Sequence, residues 1–317
     1  MTDTNPRPRP PLPVSVSEQA RKFLAVDMVR SGPQPALDDT EGWVRQVEES
    51  DTYLMERFAG VDFKLDVEDT TIAGVRTFVL RAPDVDDGPD APMYLDIHGG
   101  ALLMGGGEAC RMMASAVAAG NGMLTWAPDY RMPPGHPYPT PLDDCMAVYR
   151  AMLEQRPPSH IFVGGGSAGG NLAAALVVRA KDEGLPLPAA LVLITPEVDL
   201  TESGDSFQTN LGIDNVLGSL MQINLLYANG HDLAHPYLSP LFADVTGFPP
   251  TFLQAGTRDL FLSNTVRMHR KLRAAGVEAE LHVFEAMPHG GFGGAPEDID
   301  MRIEMRRFLD KHRPASS

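Results

Sequence analysis

The chain has 317 residues, 43% of them apolar and 21% charged, an ordinary composition for a globular protein. Lys and Arg number 26 against 42 Asp and Glu, a net charge of −16. A surface this acidic repels phosphate backbones and anionic lipid, which argues against nucleic-acid or membrane-surface partners, and no apolar run approaches the roughly 20 residues that span a bilayer.

The first stretch, residues 1–14, is rich in Pro and Arg and reads as a mobile tail, with no apolar core that would make it a signal peptide. From Ser15 to Phe58 the pattern is mostly helical. Ala20, Phe23, Leu24 and Met28 share one face, and Trp43, Val44 and Val47 share another. Val61–Val75 partly alternates and predicts a hairpin, with Arg76–Arg81 as its neighbouring strand. Short apolar runs follow at Met93–Ile97, Met123–Trp126, His160–Val163, Leu191–Ile194, Thr251–Ala255 and Glu280–Phe284, most of them separated by helical patterns. This alternation predicts an α/β fold with a mostly parallel, doubly wound sheet in one domain. The crossover from Leu191–Ile194 to Thr251 is too long for one helix and contains an insertion with a predicted helix at Leu217–Leu226. Ligands of such sheets bind beyond the carboxyl ends of the strands, so an insertion there is a natural lid.

The segment Ile161–Asn171 reads as strand, sharp turn and helix with Ser167 at the apex, in Gly165-Gly166-Ser167-Ala168-Gly169. A G-x-S-x-G in that context is a nucleophile elbow. The glycines permit a turn in which backbone meets backbone, and the serine hydroxyl stands at a helix N-terminus, where developing negative charge is favoured. A nucleophilic serine needs a base. His289 lies just past the last strand, between Pro288 and Gly290, in the kind of open loop where catalytic residues sit. The base needs an acid to fix its tautomer, and Asp259 follows the Thr251–Ala255 strand. The order Ser167, Asp259, His289 is that of α/β-hydrolases. Leu95–Ala101 ends a strand in Gly99-Gly100, whose backbone N–H groups, with that of Ala168, predict an oxyanion hole.

These pieces together resemble the hormone-sensitive-lipase-like esterases, a branch of the α/β-hydrolases. The resemblance rests on His98-Gly99-Gly100, Asp129–Pro139, Leu142-Asp143-Asp144, the Gly165–Gly170 elbow, Asp259-Leu260 and Pro288-His289, which span about residue 93 to 292 in the family's order. It implies an α/β-hydrolase fold with a helical cap. It assigns Ser167, Asp259 and His289 to catalysis and Gly99, Gly100 and Ala168 to the oxyanion hole. It implies that His98 orders its loop without proton chemistry and that Asp129–Pro139 supports the site from behind. Caps of this family combine N-terminal helices with an insertion before the acid strand, matching about 15–58 and 201–234 here. Three positions depart from the family: Ala101 replaces a third glycine, Gly166 replaces an Asp or Thr, and Glu197 replaces an aromatic. The role of Glu197 stays open between an ion pair and a carboxylate near the pocket.

The expected activity is that of a serine carboxylic-ester hydrolase acting through an acyl-enzyme on small to medium apolar esters. A lactone hydrolase with the same triad, or a non-catalytic binding protein of the same fold, are the competing expectations. No H-E-x-x-H, C-x-x-C or dinucleotide fingerprint is present, so no metal and no cofactor are expected. Asp143-Asp144 is expected to be a helix N-terminal acid pair. Two isolated cysteines, Cys110 and Cys145, fit a reducing cytoplasm, with their pairing left open, as is a homodimer.

Overall fold

The computed structural model describes residues 9–29 and 33–314, so residues 1–8 of the expected tail and residues 30–32 lie outside the described part. Eight strands form one sheet: β1 (Asp66–Ile72), β2 (Val75–Arg81), β3 (Met93–Ile97), β4 (Leu124–Pro128), β5 (Ile161–Gly166), β6 (Ala190–Ile194), β7 (Thr251–Gly256) and β8 (Ala279–Phe284). Their spatial order is β1-β2-β4-β3-β5-β6-β7-β8. β1 runs antiparallel to β2, and β2 to β4; every later pairing is parallel.

Successive side chains of the central strands point to opposite faces, and both faces are buried. Leu95, Val163, Leu193 and Leu253 pack on one side against α4 (Thr140–Gln155), α5 (Ala168–Asp182) and α8 (Leu262–Ala274), through residues such as Met146, Leu172 and Met268. Tyr94, Phe162, Val192 and Phe252 pack on the other side against Val117 of α3 (Glu108–Asn121) and Met305 and Phe308 of α9 (Pro296–Lys311). This double burial is why these strands read as continuous apolar runs.

Two N-terminal helices precede the sheet, α1 (Glu18–Leu24) and α2 (Thr40–Arg57). The Ser17 hydroxyl caps the first through Ala20 N–H, and the Asp39 carboxylate caps the second through Gly42 N–H. The insertion between β6 and β7 carries α6 (Ser206–Thr209) and α7 (Met221–Ala228). Among the described residues no helix is long and apolar enough to cross a membrane.

Two expectations shift. The hairpin is formed by β1 and β2 around Ala73-Gly74, not within Val61–Val75. The helix expected at Leu217–Leu226 begins at Met221. Glu202 accepts from the Ser219 hydroxyl and the Leu220 N–H, which holds the residues before Met221 outside the helix. Cys110 and Cys145 are both buried and unpaired.

Candidate active site

Ser167 sits between β5 and α5 with φ +56° and ψ −122°, left-handed backbone that a non-glycine residue holds only where its surroundings enforce it. Its N–H donates to the Ile194 carbonyl at 2.8 Å, and its carbonyl accepts from Asn171 and Glu197 N–H. A β-carbon at Gly169 would collide with the Ile97 carbonyl oxygen, and one at Gly165 with the Gly169 backbone. A β-carbon at Gly166 would instead lie 3.7 Å from the Ile194 carbonyl oxygen, ordinary contact. The position where the family carries a side chain is therefore also the one in this turn with room for it.

Two further loops at the carboxyl ends of the strands complete the arrangement. His289, after β8, is 8% exposed. Its Nε2 lies 2.8 Å from Ser167 Oγ and its Nδ1 3.0 Å from Asp259 Oδ1. Asp259, after β7, is fully buried, and the same Oδ1 accepts from Phe261 N–H at 2.9 Å. The Phe261 ring packs edge-on to the imidazole at 4.8 Å. Burial pulls the His289 pKa down more than any other single influence. The Asp259 charge, its hydrogen bond and the more distant Asp214 together outweigh it, so the net shift is upward from 6.5.

Of the two glycines of the expected oxyanion hole, Gly99 lies against Ser167, whereas a β-carbon at Gly100, with φ +128°, would run into the Met104 carbonyl. A β-carbon at Gly99 would stand 3.5 Å from Ser167 Cβ. Ala168 N–H opens α5 beside Ser167, where a first-turn donor has no partner within the helix. His98 orders this loop: its Nδ1 meets the Gly99 carbonyl at 2.7 Å, its ring stacks on Tyr130 at 4.1 Å, and Tyr130 donates to its carbonyl at 2.7 Å. Burial pushes the His98 pKa down to about 4, so the ring is neutral. Ala101 has φ +55°, which glycine adopts freely and alanine does not, so the family's usual glycine matches the backbone here.

The supporting residues diverge in part from expectation. Asp129 accepts from Gly107 N–H at 2.8 Å and pairs with Arg76, tying the segment after β4 to the loop before α3. Asp144 holds Arg131 through three hydrogen bonds and Asp143 pairs with Arg179. Ion pairing, rather than the helix end alone, thus explains this acid pair. Among the described residues, His98, Cys110 and Asp129 form the one group with ligand atoms within 4.8 Å of one another. Asp129 is already engaged by two donors, and burial pushes the Cys110 thiol well up, away from the thiolate a metal needs.

Glu197 has no cation partner among the described residues and is fully buried behind the nucleophile, with neither carboxyl oxygen hydrogen-bonded. Burial pushes its pKa up to about 8, with the nearby Asn224 side chain acting the other way. The group is neutral at pH 7, which removes the ion-pair reading. Unfolded, it ionises near 4.5, so its contribution to stability is full below that pH and is lost as pH rises through about 8. Glu197→Gln is expected to raise Tm by a few degrees at pH 8.5 and to leave it nearly unchanged at pH 5, measured by calorimetry. Equal shifts at both pH values would contradict a neutral buried acid.

Sequence reasoning missed Asn210 and Asp214, both in the insertion. The Asn210 amide donates to the Thr257 and Asp259 carbonyls, and Asp214 accepts from the Leu260 and His289 N–H groups. No motif marks either residue; each reads as a loop polar residue.

Known proteins resemble this chain in sequence and in fold. A family profile described as alpha/beta hydrolase fold matches residues 94–292. An acetyl-hydrolase of Streptomyces hygroscopicus is 34% identical over 203 residues, 63% of this chain and 68% of its own. An esterase of Acinetobacter venetianus is 32% identical over 220 residues, 68% of this chain and 71% of its own. Among solved structures, esterase E25 superposes with a TM-score of 0.86 at 36% identity, covering 97% of this chain and 98% of its own. An esterase from the bacterial hormone-sensitive lipase family superposes with a TM-score of 0.81 at 31% identity, covering 94% and 99%. The chain belongs to the hormone-sensitive-lipase-like esterases of the α/β-hydrolase fold, and it is a carboxylic ester hydrolase.

Proposed function

We propose that this chain hydrolyses small to medium apolar carboxylic esters through a covalent acyl-enzyme on Ser167. The observation that carries the proposal is the placement of one imidazole between Ser167 Oγ, at 2.8 Å, and Asp259 Oδ1, at 3.0 Å. Ser167 Oγ attacks the ester carbonyl as its proton passes to His289 Nε2. The oxyanion so formed accepts hydrogen bonds from the N–H groups of Gly99, Gly100 and Ala168. As it collapses, the alcohol leaves with the proton held on His289. Water then attacks the acyl-enzyme with His289 again taking the proton, which frees the acid and restores the serine. Asp259 holds the ring with Nδ1 protonated and stabilises the imidazolium.

The cap assigned to about 15–58 and 201–234 sets the size of the acyl and alcohol groups. Support comes from the apolar cluster in which Trp43 of α2, Phe207, Leu220 and Ile223 of the insertion meet Ala101, Leu103, Leu260 and Phe261. Leu24, with Phe23 beside it, packs on Met287 and Phe292 of the His289 loop. Leu225, one helical turn after Met221, is 38% exposed and outside that cluster. One relative is named an acetyl-hydrolase, which supports a short acyl group for this chain. A fluorophosphonate probe is expected to label one serine, Ser167, and p-nitrophenyl esters from acetyl to hexanoyl to be cleaved faster than the palmitoyl ester. An unlabelled protein, or a preference for the palmitoyl ester, would overturn the proposal.

A further inference from the structure

Within residues 201–234 of the insertion, one carboxylate is completely buried, that of Asp214. Its Oδ1 accepts from the nearby Val216 and Leu217 N–H groups at 2.9 and 3.2 Å, an ordinary turn. Its Oδ2 does something a turn does not require. It accepts from Leu260 N–H at 2.9 Å and from His289 N–H at 3.2 Å, donors 46 and 75 residues away in the chain. Leu260 adjoins Asp259. One oxygen of the insertion therefore bridges the main chains of the loops that carry the acid and the base.

No cation pairs with Asp214 among the described residues. Its charge is held by four backbone N–H groups, and the charged neighbours that face it are Asp259 and His289. Burial, and then repulsion from Asp259, push its carboxyl up to about 6. The reciprocal effect is that the Asp214 charge raises the His289 pKa. Glu197 also faces His289 but is neutral up to about pH 8, so it does not titrate in the same range.

We propose that Asp214 is a positioning residue of the hydrolytic site, by which the insertion fixes the spacing of the Asp259 and His289 loops and tunes the basicity of His289. The inference rests on the roles given above to Ser167, Asp259 and His289. An amide at this position keeps one acceptor and turns an NH₂ toward two backbone donors. In Asp214→Asn, kcat per fluorophosphonate-titrated site is expected to fall at least about tenfold with KM nearly unchanged. The acid limb of kcat/KM is expected to move to lower pH, because a charge that raises the His289 pKa is gone. A purely structural residue would lower the number of titratable sites and leave that limb in place. A per-site kcat within about twofold of wild type, or an unmoved limb, would overturn the proposal. The wild-type enzyme supplies a second test should the variant fold poorly. Below about pH 6, where Asp214 takes up its proton in addition to His289, whose pKa is raised above 6.5, log kcat/KM is expected to fall with a slope steeper than one. A slope of one there would overturn the proposal. An inactive, unlabelled wild type would instead point to failure of the ester-hydrolase mechanism itself.

Discussion

Replacing Ser167 by alanine is expected to lower kcat for ester hydrolysis by about 10⁶ and to abolish fluorophosphonate labelling, with the fold unchanged. The size follows from what the substitution removes. Oγ is the only heavy atom lost, and with it the proposed covalent route, so His289 is left without the hydroxyl that lies 2.8 Å from its Nε2. What holds the turn is main chain: Ser167 N–H to Ile194, and the Ser167 carbonyl to Asn171 and Glu197 N–H. The glycine contacts that shape the elbow are also untouched. The N–H groups of Gly99, Gly100 and Ala168, the proposed oxyanion hole, are untouched, so a residual rate of about 10³ or more over water is expected to survive. Turnover and Tm measured on the same preparation test this. A variant within tenfold of wild type would mean that another group is the nucleophile.

The residues of this site were legible in the sequence because three of its parts are local. The elbow needs glycine at positions 165 and 169 for contacts within a few residues and one neighbouring strand, and that need is written as a short motif. Asp259 stands at the end of β7, buried throughout and so readable as an apolar run, and His289 follows the edge strand β8, whose Glu280-Leu281-His282-Val283 alternates polar and apolar residues. The first hairpin was misplaced for the opposite reason. β1 is exposed along most of its length, so Asp66–Ile72 shows no clean alternation. Its two-residue turn uses Ala73-Gly74, with φ +49° and +84°, where Asn-Gly is the familiar signal. Asp214 and Asn210 were not readable, and the role of Glu197 was not decidable, for a third reason. Each acts on backbone, or is neutralised by burial, through contacts with residues far away in the chain, and no spacing in the sequence records such a contact.

Asp259→Asn is expected to lower kcat/KM by between about 10² and 10⁴, with an acid limb displaced to lower pH. The direction of the limb follows from the balance at His289. Burial depresses its pKa, and the Asp259 charge and hydrogen bond are the main influences that raise it. With the charge gone, depression wins and the imidazole stays neutral to lower pH. The size depends on which end of the amide faces the ring. Asp259 Oδ1 serves two donors, His289 Nδ1 and Phe261 N–H, whereas Oδ2 is buried without a partner. An asparagine that keeps its oxygen toward Phe261 N–H keeps the productive tautomer and loses the charge alone, toward the smaller loss. One that turns its NH₂ toward the ring places the imidazole proton on Nε2, facing Ser167 Oγ, where it cannot accept the serine proton, toward the larger loss. The Phe261 N–H favours the first arrangement, so the measured loss is expected nearer 10² than 10⁴. Asp259→Ala, which leaves Phe261 N–H and His289 Nδ1 both unpartnered, is expected to be the worse of the two. Equal activity of Asp259→Asn and wild type across pH would show that a different carboxylate orients the base.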